Sequence, residues 1–290
     1  MKRILCALAL VAAHQPIAAR PSAAQIFRTR VEVVQLDVSV TRGGAPVRGL
    51  TARDFIVTDS GVEQKVDTVM LDRLPLNVQV VLDASGSVSG ERLKHLIAAG
   101  NGLLTALRPG DRVGLLTFSH ELRVHVAMTG DIAPVHAQLA RIIGEGQTAL
   151  RDAVQLGLTL SADDRTRSLM LVFTDGVDNA SWLPEEAVLE DARRAGIVVH
   201  VVRARSQEDT LSTFVERLTD ATGGRVWSAS SERDLDQLFT TALDEMRGRY
   251  LLTFSPPGVT RAGWHELKVK LRNTRGDVKA RPGYFVNPER

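Results

Sequence analysis

The segment NVQVVLDASGSVSG, Asn77 to Gly90, runs through a largely apolar stretch to Asp83 and then sets Ser85 and Ser87 at two-residue spacing. A carboxylate followed by hydroxyls at the tip of so apolar a strand supplies hard oxygen donors. Two other stretches add the same chemistry: GEGQTALRDAV carries Thr148 behind a glycine-rich turn at a helix start, and LMLVFTDG leaves Asp175 at a strand tip. Oxygen ligands of this kind, with no cysteine and no clustered histidines, suit an octahedral cation such as Mg²⁺ or Mn²⁺. Asp152 and Asp178 lie near the same loops and read as caps, or as groups supporting the ligands from behind.

Other chemistries fit less well. His120 and His125 are five apart, which in a strand puts them on opposite faces and away from a shared zinc. GSVSG has Val88 where a nucleophile elbow needs serine, and GEGQT lacks the lysine of a phosphate-binding loop. A phosphoryl-transfer aspartate at Asp83 would want a second carboxylate where Ser85 stands. No catalytic residue is assigned, and the chain is not expected to be an enzyme. Trp182 and Trp264 read as partly buried packing before they read as a contact surface.

These residues need elements to hold them. From Asn77 to about Arg247, apolar strand candidates (NVQVVLD, RVGLLTF, RSLMLVFTD, GIVVHVV, GRVWSA) alternate with helical patterns, with LRVHVAM as an edge strand. Helices are expected in ERLKHLIAAGNGLLTAL and around 184–194, 206–222 and 231–247. Strands buried on both faces and separated by helices predict an α/β fold with a doubly wound, mostly parallel sheet, whose ligands bind at the carboxyl ends of the strands. The flanks, Arg28 to about Met70 and the stretch after Tyr250, alternate as β-strands do, and the first turns near Ser60-Gly61. Each is small for an independent core, so the two are expected to pack as one β-sandwich-like module interrupted by the α/β region.

The beginning of the chain reads differently. Lys2 and Arg3 precede an apolar run from Ile4 to Ala13 and small residues at Ser22-Ala23-Ala24, the pattern of a cleaved export signal. The expected division is therefore signal 1–24, β segment 25–74, α/β domain 75–248 and β segment 249–290, with the mature protein periplasmic or extracellular. The run is too short to span a bilayer stably. Cys6, the one cysteine, would leave with the signal, so no disulfide is expected. Lys+Arg number 36 against 34 Asp+Glu, but the signal removes three basic residues and no acid, leaving a net charge of −1. With aromatics at 4% and no basic excess, nucleic acid is not an expected partner.

Residues 77 to 247 resemble a von Willebrand factor A domain with a metal-ion-dependent adhesion site. The resemblance lies in Asp83, Ser85 and Ser87 as D-x-S-x-S, Thr148 in GQTALRDA and Asp175 in FTDG, in the family's order. With RYLLTFSPP and RPGYFV beyond it, the chain looks like bacterial secreted members with β segments on both sides. The resemblance implies that the serines and the threonine touch Mg²⁺ or Mn²⁺ while the aspartates act directly or through water. Largely neutral inner ligands leave cationic charge to attract an Asp or Glu carboxylate of a protein partner, a charge-assisted contact that needs no reaction. The alternatives are a metal-dependent hydrolase of a phosphate or ester, and a structural A domain with an empty site.

Overall fold

A computed structural model describes residues 33–71, 74–161, 167–175, 177–204, 213–256 and 262–286; the expected signal at 1–24 lies outside them. The described chain opens with β1 (Val34–Arg42), β2 (Ala45–Pro46), β3 (Phe55–Asp59), β4 (Val62–Gln64) and β5 (Thr68–Leu71). Alternation along β1 buries Val34, Leu36, Val38 and Val40 on one face. β3 and β4 form a hairpin whose turn residues, Ser60 and Gly61, have φ of 49° and 87°. That left-handed pair matches the twist of the flanking strands.

The middle of the chain continues as β6 (Leu76–Asp83), α1 (Gly90–Ala106), β7 (Arg112–Phe118), β8 (Leu122–Thr129), α2 (Ala133–Leu139), α3 (Leu150–Leu160), β9 (Arg167–Thr174), α4 (Glu185–Ala195), β10 (Val198–Ala204), α5 (Thr213–Thr222), β11 (Val226–Ala229) and α6 (Leu235–Arg247). The chain then closes with β12 (Tyr250–Phe254), β13 (Gly263–Leu271), β14 (Asp277–Lys279) and β15 (Gly283–Val286).

Six strands make the central sheet in the order β11-β10-β9-β6-β7-β8, parallel except for β8, which returns antiparallel along β7. Every residue of β6 and β9 is buried, because helices cover both faces. Val78, Val80 and Leu82 face α1, α2 and α6, whereas Val81, Met170 and Val172 face α3, α4 and α5. The expected doubly wound α/β architecture is present. α2 is an addition: seven residues opening with Ala133-Pro134 are too few to show a helical period in sequence. The helix expected over 206–222 is described only from Thr213, since 205–212 lie outside the described residues.

The two flanks interleave. One sheet runs β14-β1-β12-β5 with β2 on β1, and the other β15-β13-β3-β4. β1 meets β12 from Val34↔Phe254 to Val38↔Tyr250, and β3 meets β13 from Phe55↔Leu271 to Asp59↔Leu267. Leu36, Val38, Phe55 and Val57 share one core with Leu252, Phe254, Leu267 and Tyr284, so each flank completes the other.

α6 passes into β12 through Gly248 and Arg249 alone. Fully buried Arg249 donates to Glu245 Oε2 at 2.8 Å, to Glu245 Oε1 at 2.9 Å and to the Gly223 carbonyl at 2.8 Å. Arg225 joins Glu245 Oε1 at 3.2 Å and reaches Ser39 of β1 at 3.3 Å, while Arg167 of β9 pairs with Asp37 of β1 through Nε at 2.8 Å. Burial by itself would raise the Glu245 carboxyl; the His200 hydrogen bond and the Arg249 charge outweigh it and hold it far below the usual carboxylate range. His200 is fully buried, and burial pushes its pKa down against the pull of Glu245. Its Nδ1 accepts the Arg225 backbone N–H at 3.0 Å, so Nε2 carries the proton and donates to Glu245 Oε2 at 2.8 Å.

Two outcomes are expected. Glu245→Gln leaves the Arg249 guanidinium buried without its carboxylate and should cost about 3–5 kcal/mol, read by urea unfolding of the full chain. The folded pKa of His200 lies below its unfolded value of about 6.5, so the neutral ring's contribution is complete above that pH. It drains as pH falls, because the unfolded chain takes up a proton that the folded chain refuses. Urea midpoints at pH 8 and pH 5.5 should therefore differ less in His200→Asn than in wild type, and an equal difference would remove His200 as the source.

Candidate functional site

β6 and β9 lie side by side, yet their exits diverge: the chain leaves β6 for α1 on one face and β9 for α4 on the other. Such a reversal opens a crevice at the carboxyl ends of the strands. The register Leu82↔Phe173 sets Asp83 beside Thr174, whose Oγ1 donates to Asp83 Oδ2 at 2.9 Å. The Ser85 N–H donates to Asp83 Oδ1 at 2.9 Å, Ser85 Oγ lies 3.1 Å from Ser87 Oγ, and Ser87 Oγ donates to Asp175 Oδ1 at 2.8 Å. The other Asp175 oxygen pairs with the guanidinium of Arg92, in the first turn of α1; Arg92 also lies 3.4 Å from the Ser87 carbonyl. Asp83 is wholly buried, and its pKa is pushed up to about 6, chiefly by that burial and further by the Asp175 charge, against the hydrogen bonds from Ser85 and Thr174.

The Thr148 loop is laced to this cluster through its backbone. Gly86 N–H donates to the Gly146 carbonyl at 3.0 Å and Glu145 N–H to the Ala84 carbonyl at 2.8 Å. Glycine is required at 144, where a Cβ would lie 1.9 Å from the Val88 carbonyl oxygen. Thr148 is buried; its N–H donates to Asn179 Oδ1 at 2.8 Å and its carbonyl accepts from Asn179 and Ala180. The five expected residues thus share one rim, four of them in a single run of hydrogen bonds and Thr148 on the adjoining loop. Among the described residues no group of three or more His, Cys, Asp or Glu gathers as a metal cluster. The donors that could hold a cation here are hydroxyls and two carboxylates, a hard set.

Asp152 and Asp178 brace the loops. Asp152 accepts the backbone N–H groups of Trp182 and Leu183, both at 2.9 Å. Asp178 accepts from Arg151 N–H at 2.7 Å, in the first turn of α3, and from Ser181 Oγ at 2.5 Å. Burial opposes its ionisation, but the Ser181 and Arg151 hydrogen bonds hold its pKa below the ordinary value. These bonds fix the 177–183 loop, and the loop displays Trp182 at 94% exposure, against the expectation of partial burial. Trp264, 39% exposed, does pack, with its ring centroid 5.1 Å from that of Phe285. His120 precedes β8, so the premise that both histidines sit in one strand fails; His125 bonds Thr117 Oγ1 at 2.8 Å, and a Cβ at Gly146 would lie 2.0 Å from His120 Nδ1.

Sequence reasoning passed over Thr174, Asn179 and Arg92. Thr174 directly precedes Asp175 at the strand tip and Asn179 lies four residues after it, polar side chains on the same strand exit, a signal within reach. Arg92, in an ordinary helix turn, carries none.

The family model described as von Willebrand factor type A domain matches residues 77–241. An uncharacterized protein of Synechocystis sp. is 33% identical over 109 residues, 36% of this chain and 26% of its own length. Inter-alpha-trypsin inhibitor heavy chain H3 of Mesocricetus auratus is 24% identical over 135 residues, 42% of this chain and 15% of that protein. The chain thus spans roughly a quarter or less of these relatives. A solved structure, von Willebrand factor type A from Catenulispora acidiphila, shares the fold with a TM-score of 0.52 at 10% identity, covering 89% of this chain and 74% of that one.

Asp152→Ala should free two backbone donors and cost about 1–2 kcal/mol, as the loss of a helix cap does. Hydrogen exchange at Trp182 and Leu183 should quicken in that variant, while Ser85, on the far loop, stays protected; unchanged exchange at Trp182 would mean that Asp152 does not hold the loop.

Proposed function

We propose, since the chain belongs to the von Willebrand factor type A domain family, that it is a binding protein in which a divalent cation, Mg²⁺ or Mn²⁺, captures a carboxylate of a protein partner. Asp83, Ser85, Ser87, Thr148 and Asp175 would hold the cation. The observation that carries this reading is the run of hydrogen bonds from Asp83 through Ser85 and Ser87 to Asp175 at the crevice between β6 and β9. Hydroxyls that otherwise cap turns are here bonded to one another and end on an acid 88 positions away in the chain, at the tip of the neighbouring strand. When bound, the cation supplies a Lewis-acidic position open to a carboxylate oxygen. The chain's own part is to keep the donors together: Thr174 and the Ser85 N–H orient Asp83, and Asn179 fixes the Thr148 backbone.

The charge pattern of residues 2–24, two cations before the Ile4–Ala13 apolar run, supports export to the periplasm or beyond. Among the described residues no helix is long and apolar enough to cross a membrane. A binding role is supported by a rim on which Asp83, Ser85, Ser87 and Asp175 are engaged in holding one another.

Calorimetric titration with Mg²⁺ and Mn²⁺ tests the reading. Wild type should show saturable binding, with Asp83→Ala and Ser85→Ala each weakening it by about tenfold or more, as expected when a metal ligand or its close support is lost. Folded wild type that binds neither cation would overturn it.

A further inference from the structure

Arg92 is the cation already present at this rim. Its guanidinium pairs with one Asp175 oxygen while Ser87 Oγ bonds the other, and it lies 3.4 Å from the Ser87 carbonyl. The Arg92 side chain is 26% exposed and that of Asp175 is 1%, so the pair is poorly screened on the acid's side. Of the charges on the neighbouring loops, Glu91 pairs with Lys94 at 2.5 Å in the open and Asp178 with Arg151 at 3.3 Å, while Asp152 is taken up by the Trp182 and Leu183 N–H groups and Glu145 is exposed to solvent. Within the hydrogen-bonded run itself the charged groups are two carboxylates, Asp83 and Asp175, and one guanidinium.

We propose that Arg92 sets the charge balance of the site, serving as counter-ion to Asp175 when no divalent cation is present and biasing the loaded site toward an anionic ligand. The inference rests on the cation reading above. Without Arg92, a divalent cation and the two carboxylates would sum to zero, and a partner carboxylate would be drawn by the cation's open position alone, with no net charge to help. With Arg92 the loaded site keeps one net positive charge, which a single carboxylate completes. The same guanidinium competes with the cation for Asp175, so Arg92 weakens cation binding and strengthens carboxylate binding. A residue that merely braces Asp175 would strengthen both.

Mn²⁺ titration of the full chain, read by the electron paramagnetic resonance signal of free Mn²⁺, measures the first effect. Acetate added to the Mn²⁺-loaded protein, read by the fall in water-proton relaxation as acetate displaces bound water, measures the second. Arg92→Gln should bind Mn²⁺ about tenfold more tightly and need about fivefold more acetate, whereas Arg92→Lys, which keeps the charge, should stay near wild type in both. Unchanged or weaker Mn²⁺ binding by Arg92→Gln overturns the inference, as does tighter Mn²⁺ binding with an unchanged acetate response. Wild type that binds no Mn²⁺ overturns the cation reading itself; wild type that binds it while the variants do not diverge overturns only the role of Arg92.

Discussion

Two carboxylates stand at the ends of adjacent buried strands, and their mutual repulsion in a poorly hydrated place is the constraint around which the rim is organised. Asp83 is wholly buried and Asp175 nearly so. Desolvation of one acid beside another is unfavourable unless each is given donors or positive charge. The chain answers with Thr174 and the Ser85 N–H on Asp83, and with Ser87 and Arg92 on Asp175. Each of those donors comes from a segment positioned by the parallel sheet. β6 and β9 must be neighbours, α1 must begin immediately past the serines, and the glycine-rich 144–146 stretch must lie flat against the Asp83 loop.

The opposite end of the α/β region solves a different electrostatic problem with the same means. Arg249, Arg225 and His200 converge on Glu245, and Arg167 reaches Asp37. These groups lie where α6 runs into β12 and where β1 passes the start of β9. Two contacts cross from the α/β core to the interleaved flanks, the Arg167–Asp37 ion pair, nearly dry on the arginine side, and the Arg225 hydrogen bond to Ser39. A single carboxylate serving three cationic or donor groups is specific in geometry, since any displacement of α6 strands a buried charge.

Legibility differed residue by residue. Asp83, Ser85 and Ser87 are local in sequence, and their types already marked an oxygen-rich tip on an apolar strand. Thr148 and Asp175 were readable because each follows a pattern that places it at the same end of a parallel sheet. Arg92 was not, because an arginine in a first helical turn is common and its partner lies 83 positions away. Trp182 was misjudged for a related reason: a lone tryptophan is usually part-buried, but Asp152 holds the Trp182 backbone from across the loop and turns the indole outward. The alternation of β1, β3 and β13 announced strands; their partners and registers were invisible, since a period of two says which face is buried and nothing about what is opposite.

What the sequence determined by itself, then, was local: strand and helix periodicity, the doubly wound α/β class, the hairpin turn at Ser60-Gly61 and the oxygen-rich character of three loop segments. Those follow from backbone sterics and from the burial of apolar side chains at fixed spacing. Tertiary structure alone decided which strands of the two flanks pair and in what register, that Arg92 neutralises Asp175, which donors Asp152 and Asp178 hold, and that Glu245 gathers the charges beside β12. The physical reason is that ion pairs and hydrogen bonds depend on distance in space, and residues far apart in the chain become neighbours only when the sheet order brings their strand ends together.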